Sequence, residues 1–330
     1  MKKKHVKSPC CKGSVQRHGE RRRQCMTCGK TWRIRKKKRG RKCLRVSANL
    51  ASQFLDQTIP SLRKLAEKRG CPRENLRRRL EKSMDILVRQ SSWQPVPRDV
   101  KLVAIADAMI ERILGVEYTA YVILVKPVGS TQAIICSPYI TQGHEDLQGW
   151  MKAFKTLSDN VKGQICALVC DGHFGLRGVA IEFQWLLQRC HFHLLLGLTN
   201  YVSSTVLSRR KHFSFLVHSS VKTILYTCSN EQLRRNIRHL NGLLMLTSSR
   251  GAHRVIDGFL GHVHEFRTYL AYPELHLPIT SNSAESLVQC IRNILYETRG
   301  FRSEKAFKKW VGAILIHKQS IRCRGFDQPN

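Results

Sequence analysis

The sequence has few acidic residues and no long apolar run. Only 23 Asp and Glu stand against 57 Lys and Arg in 330 residues, which gives a formal charge of +34. This excess is larger than an ordinary solvated surface carries and favours a polyanionic partner, most commonly nucleic acid. An anionic membrane surface is the competing partner, but no apolar stretch reaches the roughly 18 residues of a spanning helix. We therefore expect no membrane partner.

Targeting and disulfide signals are also missing. The basic N-terminus leads into no apolar run, so we expect no secretory signal. The 13 cysteines are an odd number, and several lie inside apolar runs of strand length. This pattern suits reduced thiols in the cytoplasm better than a disulfide framework. The apolar content of 42% is enough for one sizeable core plus one or two small modules.

Two apolar runs of strand length each carry one aspartate near the end. Residues 101–111 contain Asp107, and residues 165–172 contain Asp171. Continuous apolar runs are typical of buried strands, and α/β folds place their chemistry where such strands end. Two carboxylates held there could share a divalent cation such as Mg²⁺. Turn-forming or helix-capping aspartates are the alternative.

Residues 1–45 combine high positive charge with a cysteine pattern. The Cys-x-x-Cys turn at Cys25 and Cys28 is the usual form of half a zinc ribbon, in which thiolates and Zn²⁺ replace an apolar core. The other half is irregular, because Ser8 stands where a thiolate is expected. The candidate zinc ligands are Cys11, Cys25 and Cys28, with Cys10, His5 or His18 as the fourth. A metal-free basic arm is the alternative, and residues 33–45 would neutralise DNA phosphates in either case.

Residues 46–90 predict short helices around a glycine-containing turn at residues 70–72. The buried stripe of the last helix is Leu76, Leu80, Met84 and Leu87. Two helices around such a turn match a helix-turn-helix, whose second helix lies in the major groove of DNA. The candidate DNA contacts on that helix are Arg73, Asn75, Arg77, Arg78 and Arg79. A plain helical hairpin with a solvated basic face is the alternative; residues 91–98 contain two prolines and predict a linker.

From residue 99 onward, strand and helix signals alternate. Strands are predicted at 101–111, 118–125, 132–140, 165–172 and 188–195, and helices at 145–157 and 175–187. This is the order of a ribonuclease H-like α/β sheet. Residues 196–275 have a helical pattern with few strand signals. Residues 280–285 predict a helix start, because Ser and Asn cap well; Glu285 then lies in the first turn, where complementing the helix dipole is its alternative role.

Together these residues resemble a DDE-type transposase of the Mutator-like group, which includes bacterial insertion-sequence enzymes. The resemblance covers nearly the whole chain. It depends on four motifs in order: Asp107, Asp171 with Gly172, the Cys-x-x-His of residues 190–193, and residues 282–285 opening a helix. A zinc ribbon followed by a helix-turn-helix is also common at the front of such enzymes.

The resemblance implies a fold and a reaction. The fold would be a ribonuclease H-like mixed sheet with an all-helical insertion at about 196–275, within a catalytic domain of residues 99–330. Asp107, Asp171 and Glu285 would hold two Mg²⁺ or Mn²⁺ ions. The same site would cleave the ends of a mobile element and join them to target DNA.

The resemblance also implies accessory residues. Cys190 and His193 would lie beside the catalytic centre and orient it or contact phosphate; a zinc half-site or core packing is the alternative. Arg292, Arg299 and Arg302 would contact phosphates along and beyond the catalytic helix; a solvated basic face is the alternative.

The implied partners are double-stranded DNA, both element ends and target, and a second copy of the chain, since such enzymes act as dimers on paired ends. The protein would be cytoplasmic and nucleoid-associated. Two other functions stay open: a transposase-derived regulator that binds DNA without catalysis, and a nuclease on the same fold. We expect that residues 1–90 can be removed without unfolding the catalytic domain.

Overall fold

A computed structural model describes most of the chain. The described residues are 7–18, 22–33, 47–56, 61–202, 208–247, 249–298, 301 and 303–323. The chain divides into two compact units, Met1–Val46 and Ser47–Asn330. Within the described ranges, every helix is too short or too polar to cross a lipid bilayer.

The first unit contains a small antiparallel sheet. Its strands are β1 Val15–Arg17, β2 Arg22–Cys25 and β3 Thr31–Arg33, in the order β1-β2-β3. Among the described residues of this unit only Ser8 and Cys25 are buried. Because such a segment has almost no apolar core, hydrophobic burial cannot be what holds it together.

The second unit is built on a seven-stranded mixed sheet. The strands are β4 Leu102–Ile113, β5 Val116–Pro127, β6 Gln132–Ile135, β7 Tyr139–Gln142, β8 Ile165–Cys170, β9 Leu186–Arg189 and β10 Ser320–Arg322. Their order is β10-β6-β5-β4-β8-β9, with β7 also paired to β5. β8 is parallel to β4 and β9 is parallel to β8, whereas the other pairings are antiparallel. The predicted α/β fold with a mixed sheet is therefore confirmed.

Helices cover both faces of this sheet. They are α1 Asn49–Leu55, α2 Leu62–Lys68, α3 Arg73–Gln90, α4 Leu147–Lys155, α5 Asp159–Gln164, α6 Phe174–Glu182, α7 His191–Val202, α8 Ser208–Tyr226, α9 Asn230–Leu244, α10 Arg250–Gly261, α11 Val263–Phe266, α12 Thr268–Ala271, α13 Asn282–Thr298 and α14 Glu304–Lys318. Serine side chains cap α2, α9, α10 and α14 by accepting a backbone N–H bond.

The central strand β4 shows why two layers form. Val103 and Ile105 pack on one face with α1–α3, α13 and α14, whereas Leu102 and Ala104 pack on the other face with Trp150 of α4 and with α6. Alternate residues of a strand point to opposite faces, so the apolar first part of this strand, residues 102–106, supplies both cores. A third apolar cluster lies within α7–α11, in the region predicted to be a helical insertion.

The front helices α1–α3 share the core of the sheet unit. The predicted stripe Leu76, Leu80, Met84 and Leu87 is buried in the same cluster as α13 and α14. Phe54 meets Trp310 edge to face at 5.7 Å, and Lys309 pairs with Asp85 at 2.8 Å. Removing α1–α3 would expose this apolar surface. The packing therefore does not support the expectation that residues 1–90 can be removed without unfolding the catalytic domain.

Several predicted boundaries are wrong. Asp107 lies in the middle of β4 rather than at its end, because β4 continues as a hairpin with β5 to Ile113. Residues 132–140 form two short strands, β6 and part of β7, rather than one. The Cys-x-x-His segment is not a strand, because β9 ends at Arg189 and α7 begins at His191. Neither α14 nor β10 was predicted.

Candidate active site

Two aspartates lie side by side at one edge of the parallel part of the sheet. The register of β4 and β8 pairs Ile105 with Val169, and two positions further along these chains are Asp107 and Asp171. Neighbouring strands are about 4.8 Å apart, so the two carboxylates lie close together. The two aspartates come together because β4 and β8 pair in parallel, and not because both strands end there.

Helix α13 brings the third carboxylate to the sheet. Its apolar side packs against β4 and β5, with Ala284, Leu287 and Val288 buried. Glu285 lies in its first turn. One oxygen of Glu285 accepts a hydrogen bond of 2.7 Å from the Ser281 hydroxyl, which is itself buried.

The nearby carboxylates of Asp171 and Glu285 affect the pKa of Asp107. Burial raises the pKa of Asp107 to about 6, the Ala108 N–H opposes that rise, and the negative charges of Asp171 and Glu285 add to it. The positive charge of His193 acts in the opposite direction. A half-buried carboxylate whose pKa is raised in part by two nearby negative charges marks a site that a divalent cation would stabilise.

Asp171 is held by the turn that follows β8. Its Oδ1 accepts a hydrogen bond of 2.8 Å from the N–H of His173. Gly172 between them has φ of +92°, and a Cβ there would lie 2.1 Å from Nε of Arg189. Only glycine combines this backbone conformation with this close approach. The Asp-Gly pair is therefore required by the geometry of the turn.

Cys190 and His193 lie next to Glu285. The ligand atoms of these three residues all lie within 4.8 Å of one another. The Cys190 thiol is buried, lies 3.8 Å from Oε1 of Glu285 and accepts a bond from the N–H of Ser281. His193 Nδ1 lies 3.3 Å from the same Glu285 oxygen. The Cys190 contact, ahead of the opposing effect of burial, raises the pKa of His193 to about 9, and the charges of Glu285 and Asp171 contribute.

A further carboxylate near Asp171 was not predicted. Glu145 accepts a hydrogen bond of 2.7 Å from Nε1 of Trp150 and lies 3.2 Å from Nδ1 of His173. Burial raises the pKa of Glu145, and the charge of Asp171 adds to the effect. In the sequence, Glu145 stands at the start of a predicted amphipathic helix. That position does not distinguish it from an ordinary surface residue.

The four cysteines of the first unit form a cluster. The sulfur atoms of Cys10, Cys11, Cys25 and Cys28 all lie within 4.8 Å of one another. Cys10 and Cys28 are 3.3 Å apart, and Cys11 and Cys25 are 3.2 Å apart. Hydrogen bonding with the Ser8 hydroxyl, 3.3 Å away, lowers the pKa of Cys25 to about 5. Four thiols at this spacing fit a tetrahedral Zn²⁺ site, with Cys10 as the fourth ligand.

The predicted DNA contacts on α3 differ in their availability. Arg73, Asn75 and Arg78 are exposed. Arg77 is held by Glu74 and Glu81 on the same helix. Arg79 is half-buried, and its Nε has no hydrogen-bond partner among the described residues.

The other predicted contacts lie at or beyond α13. Arg292 is exposed on this helix. Arg299, Arg302 and most of the basic run at 33–45 lie outside the described residues.

Comparison with models of known protein families gives a match. A family model described as "Transposase, Mutator family" matches residues 112–321, which is more than half of the chain. The match includes Asp171, Cys190, His193 and Glu285, and it begins after Asp107 on β4. A search of curated proteins gives no match.

Proposed function

Since the chain belongs to the Mutator family of transposases, we propose that it cleaves the ends of a mobile DNA element and joins them to target DNA by two-metal phosphoryl transfer. The observation that carries this proposal is that the parallel pairing of β4 and β8 places Asp107 beside Asp171, while α13, with Glu285 in its first turn, packs on β4. These residues come from β4, from the end of β8 and from α13, and the last two raise the pKa of the first.

We also propose that the sheet is ribonuclease H-like. In its support, β4, β5 and β6 form an antiparallel ribbon, and β8 and β9 add parallel strands on the other side of β4. The helices α7–α12 lie between β9 and α13, where the all-helical insertion is expected.

The three carboxylates fit Mg²⁺ or Mn²⁺, because hard cations prefer oxygen ligands. Two ions held by Asp107, Asp171 and Glu285 would activate water or a DNA 3′-hydroxyl and stabilise the leaving oxygen. The chain's own groups orient these ligands. The Ser281 hydroxyl holds Glu285, and the N–H of His173 holds Asp171.

Cys190 and His193 then act as positioning residues. The buried Cys190 thiol links Glu285 to the N–H of Ser281, so it fixes the start of α13 relative to the end of β9. The Cys190 contact raises the pKa of His193 to about 9, so a protonated His193 would place a positive charge beside Glu285, where a DNA phosphate would bind.

The front of the chain would recognise DNA. The cysteine cluster would bind Zn²⁺, and α2 and α3 would act as a helix-turn-helix that presents Asn75 and Arg78 to double-stranded DNA. Paired element ends would require a homodimer. We place this activity in the cytoplasm, at the nucleoid.

A cleavage assay tests the site. Purified protein is incubated with DNA that carries the element ends and Mg²⁺ or Mn²⁺. Asp107→Asn, Asp171→Asn and Glu285→Gln should each abolish nicking and strand joining, while DNA binding persists. The control is Asp159→Asn, the same chemical change at a fully exposed residue of α5, which should cleave like the wild type.

The outcomes separate the alternatives. Unchanged cleavage in the three variants would remove the proposed site. Nicking without joining would indicate a nuclease, and end binding without nicking in the wild type would indicate a regulator.

A further inference from the structure

A basic groove lies along α13, the helix whose first turn carries Glu285 of the proposed catalytic site. It has a volume of about 840 Å³ and lies between the outer face of α13 and the starts of α2 and α3. Its lining includes Arg63, Arg73, Arg292, Asn293 and Tyr296. Arg63 is paired with Glu67, but among the described residues neither Arg73 nor Arg292 forms an ion pair.

One face of α13 runs from the catalytic carboxylate into this groove. Gln289, Arg292, Asn293 and Tyr296 follow Glu285 at helical spacing and are all exposed. The opposite face of the helix is buried in the core of the sheet unit. The exposed face is therefore fixed in place and points away from the core along its whole length.

Tyr296 is an unusual surface residue. It is 86% exposed, more than any other described aromatic side chain. An aromatic ring above a positively charged groove is the arrangement that binds single-stranded nucleic acid, because arginines track the backbone while the ring stacks on a base. Bases inside a duplex already stack on one another, so the ring requires an unpaired base.

We propose that this groove binds a single DNA strand next to the scissile phosphate and that Tyr296 stacks on an unpaired base of that strand. Arg73 and Arg292 would neutralise phosphates from opposite walls. Glu111 also lines the groove, and its negative charge is partly offset by Arg292. The identity of the strand as the one being cleaved depends on the proposed function, whereas strand binding itself does not.

Helix geometry gives the position of the stacked base. Tyr296 follows Glu285 by three turns, so their Cα atoms are about 16 Å apart along the axis. A stacked strand rises about 3.4 Å per nucleotide. The base on Tyr296 should therefore lie about five nucleotides from the cut.

Binding of a defined oligonucleotide tests the groove. The probe is a 15-nucleotide oligothymidine that carries one 2-aminopurine, mixed with the full chain in buffer without added Mg²⁺ or Mn²⁺ so that no cleavage occurs. Tyr296→Ala should weaken binding about tenfold and abolish the stacking-induced quenching of 2-aminopurine, because stacking contributes on this scale. Tyr296→Phe keeps the ring and should stay within about twofold of the wild type. Phe215→Ala, an exposed aromatic on α8, is the control and should have no effect.

The basic residues give a second readout. Arg73→Gln and Arg292→Gln should each weaken binding several-fold and reduce the slope of log K against log salt by about 0.7. The control is Arg238→Gln, at an exposed position of α9, which should leave the slope unchanged.

The results separate this proposal from the proposed function. Equal affinity and quenching in Tyr296→Ala and Tyr296→Phe would overturn the groove site, whether or not the wild type cleaves. Stacking that depends on Tyr296 in a protein that never nicks element ends would keep the groove and overturn the transposition chemistry. If the protein cleaves, quenching at about the fifth nucleotide from the cut would confirm the predicted position of the stacked base. Quenching only at more distant positions would contradict that position.

Discussion

The two units of this chain are held together by different interactions. The described part of the first unit buries only Ser8 and Cys25 and brings four thiols together. The second unit buries large apolar side chains, including Trp150, Phe154 and Phe307, on both faces of its sheet. The cysteine cluster, a candidate metal site, is therefore the proposed framework of the first unit, whereas the second unit is held by its apolar core and its proposed metal ligands are only carried on that core.

The largest expected effect follows directly from this difference. Chelation of zinc, or Cys25→Ser, should unfold the first unit, because little else holds it. The sheet unit should stay folded. Hydrogen exchange measured by mass spectrometry should show lost protection in residues 7–33 and unchanged protection in β4 and β8.

The matched control for this experiment is Cys228→Ser, which removes an exposed thiol of the second unit and should change neither region. Zinc content should fall by about one ion per chain in Cys25→Ser only. Retained protection of residues 7–33 without zinc would show that the cysteine cluster is not their framework.

In the second unit, by contrast, the half-buried carboxylate of Asp107 should weaken the sheet unit when no metal is bound. Burial raises the pKa of Asp107 from 3.8 to about 6. The folded state thus binds this proton more tightly than the unfolded state. The associated stability is complete below about pH 4 and is lost as the pH rises through about 6.

Asp107→Asn removes this titration. Without added Mg²⁺ or Mn²⁺ at about pH 8, the variant should be more stable than the wild type by up to about 3 kcal/mol, and at about pH 4 the difference should vanish. Urea unfolding at the two pH values measures both quantities. At high pH, Mg²⁺ should stabilise the wild type and so reduce the difference in free energy of unfolding between the variant and the wild type. A difference that is the same at both pH values would contradict the burial of the ionised carboxylate.

The sequence predicts the parts of the fold that depend on local patterns. The apolar run around Asp107 and the stripe from Leu76 to Leu87 are visible because burial imposes a strand or helix period on them. The four-thiol cluster includes Cys10, which the irregular spacing left as one of three candidates for the fourth ligand. The shared core of α1–α3 and α14 was not predicted, because it joins segments more than 200 residues apart.

The candidate site shows the same limit. Its three carboxylates were chosen by motif and order, and their assignment stays a prediction until the variants are tested. The neighbours of these carboxylates could not be chosen in this way. Glu145 approaches Asp171 only through the packing of α4 on the sheet, and Arg189 meets Gly172 only because β9 lies beside β8. Such contacts depend on tertiary geometry that no local spacing encodes.

The smallest predicted effect concerns the hydroxyl that orients Glu285. Ser281 is buried, donates to Glu285 Oε1 at 2.7 Å, and its N–H bonds to the Cys190 thiol. Ser281→Ala should slow cleavage about tenfold, because one hydrogen bond to a charged group contributes about 1.4 kcal/mol. DNA affinity and thermal stability should change little. Ser281→Thr keeps the hydroxyl and should restore most of the rate, and Ser286→Ala, at an exposed position one turn further along α13, should leave it unchanged. Equal rates in Ser281→Ala and the wild type would show that the Ser281 hydroxyl does not orient the carboxylate.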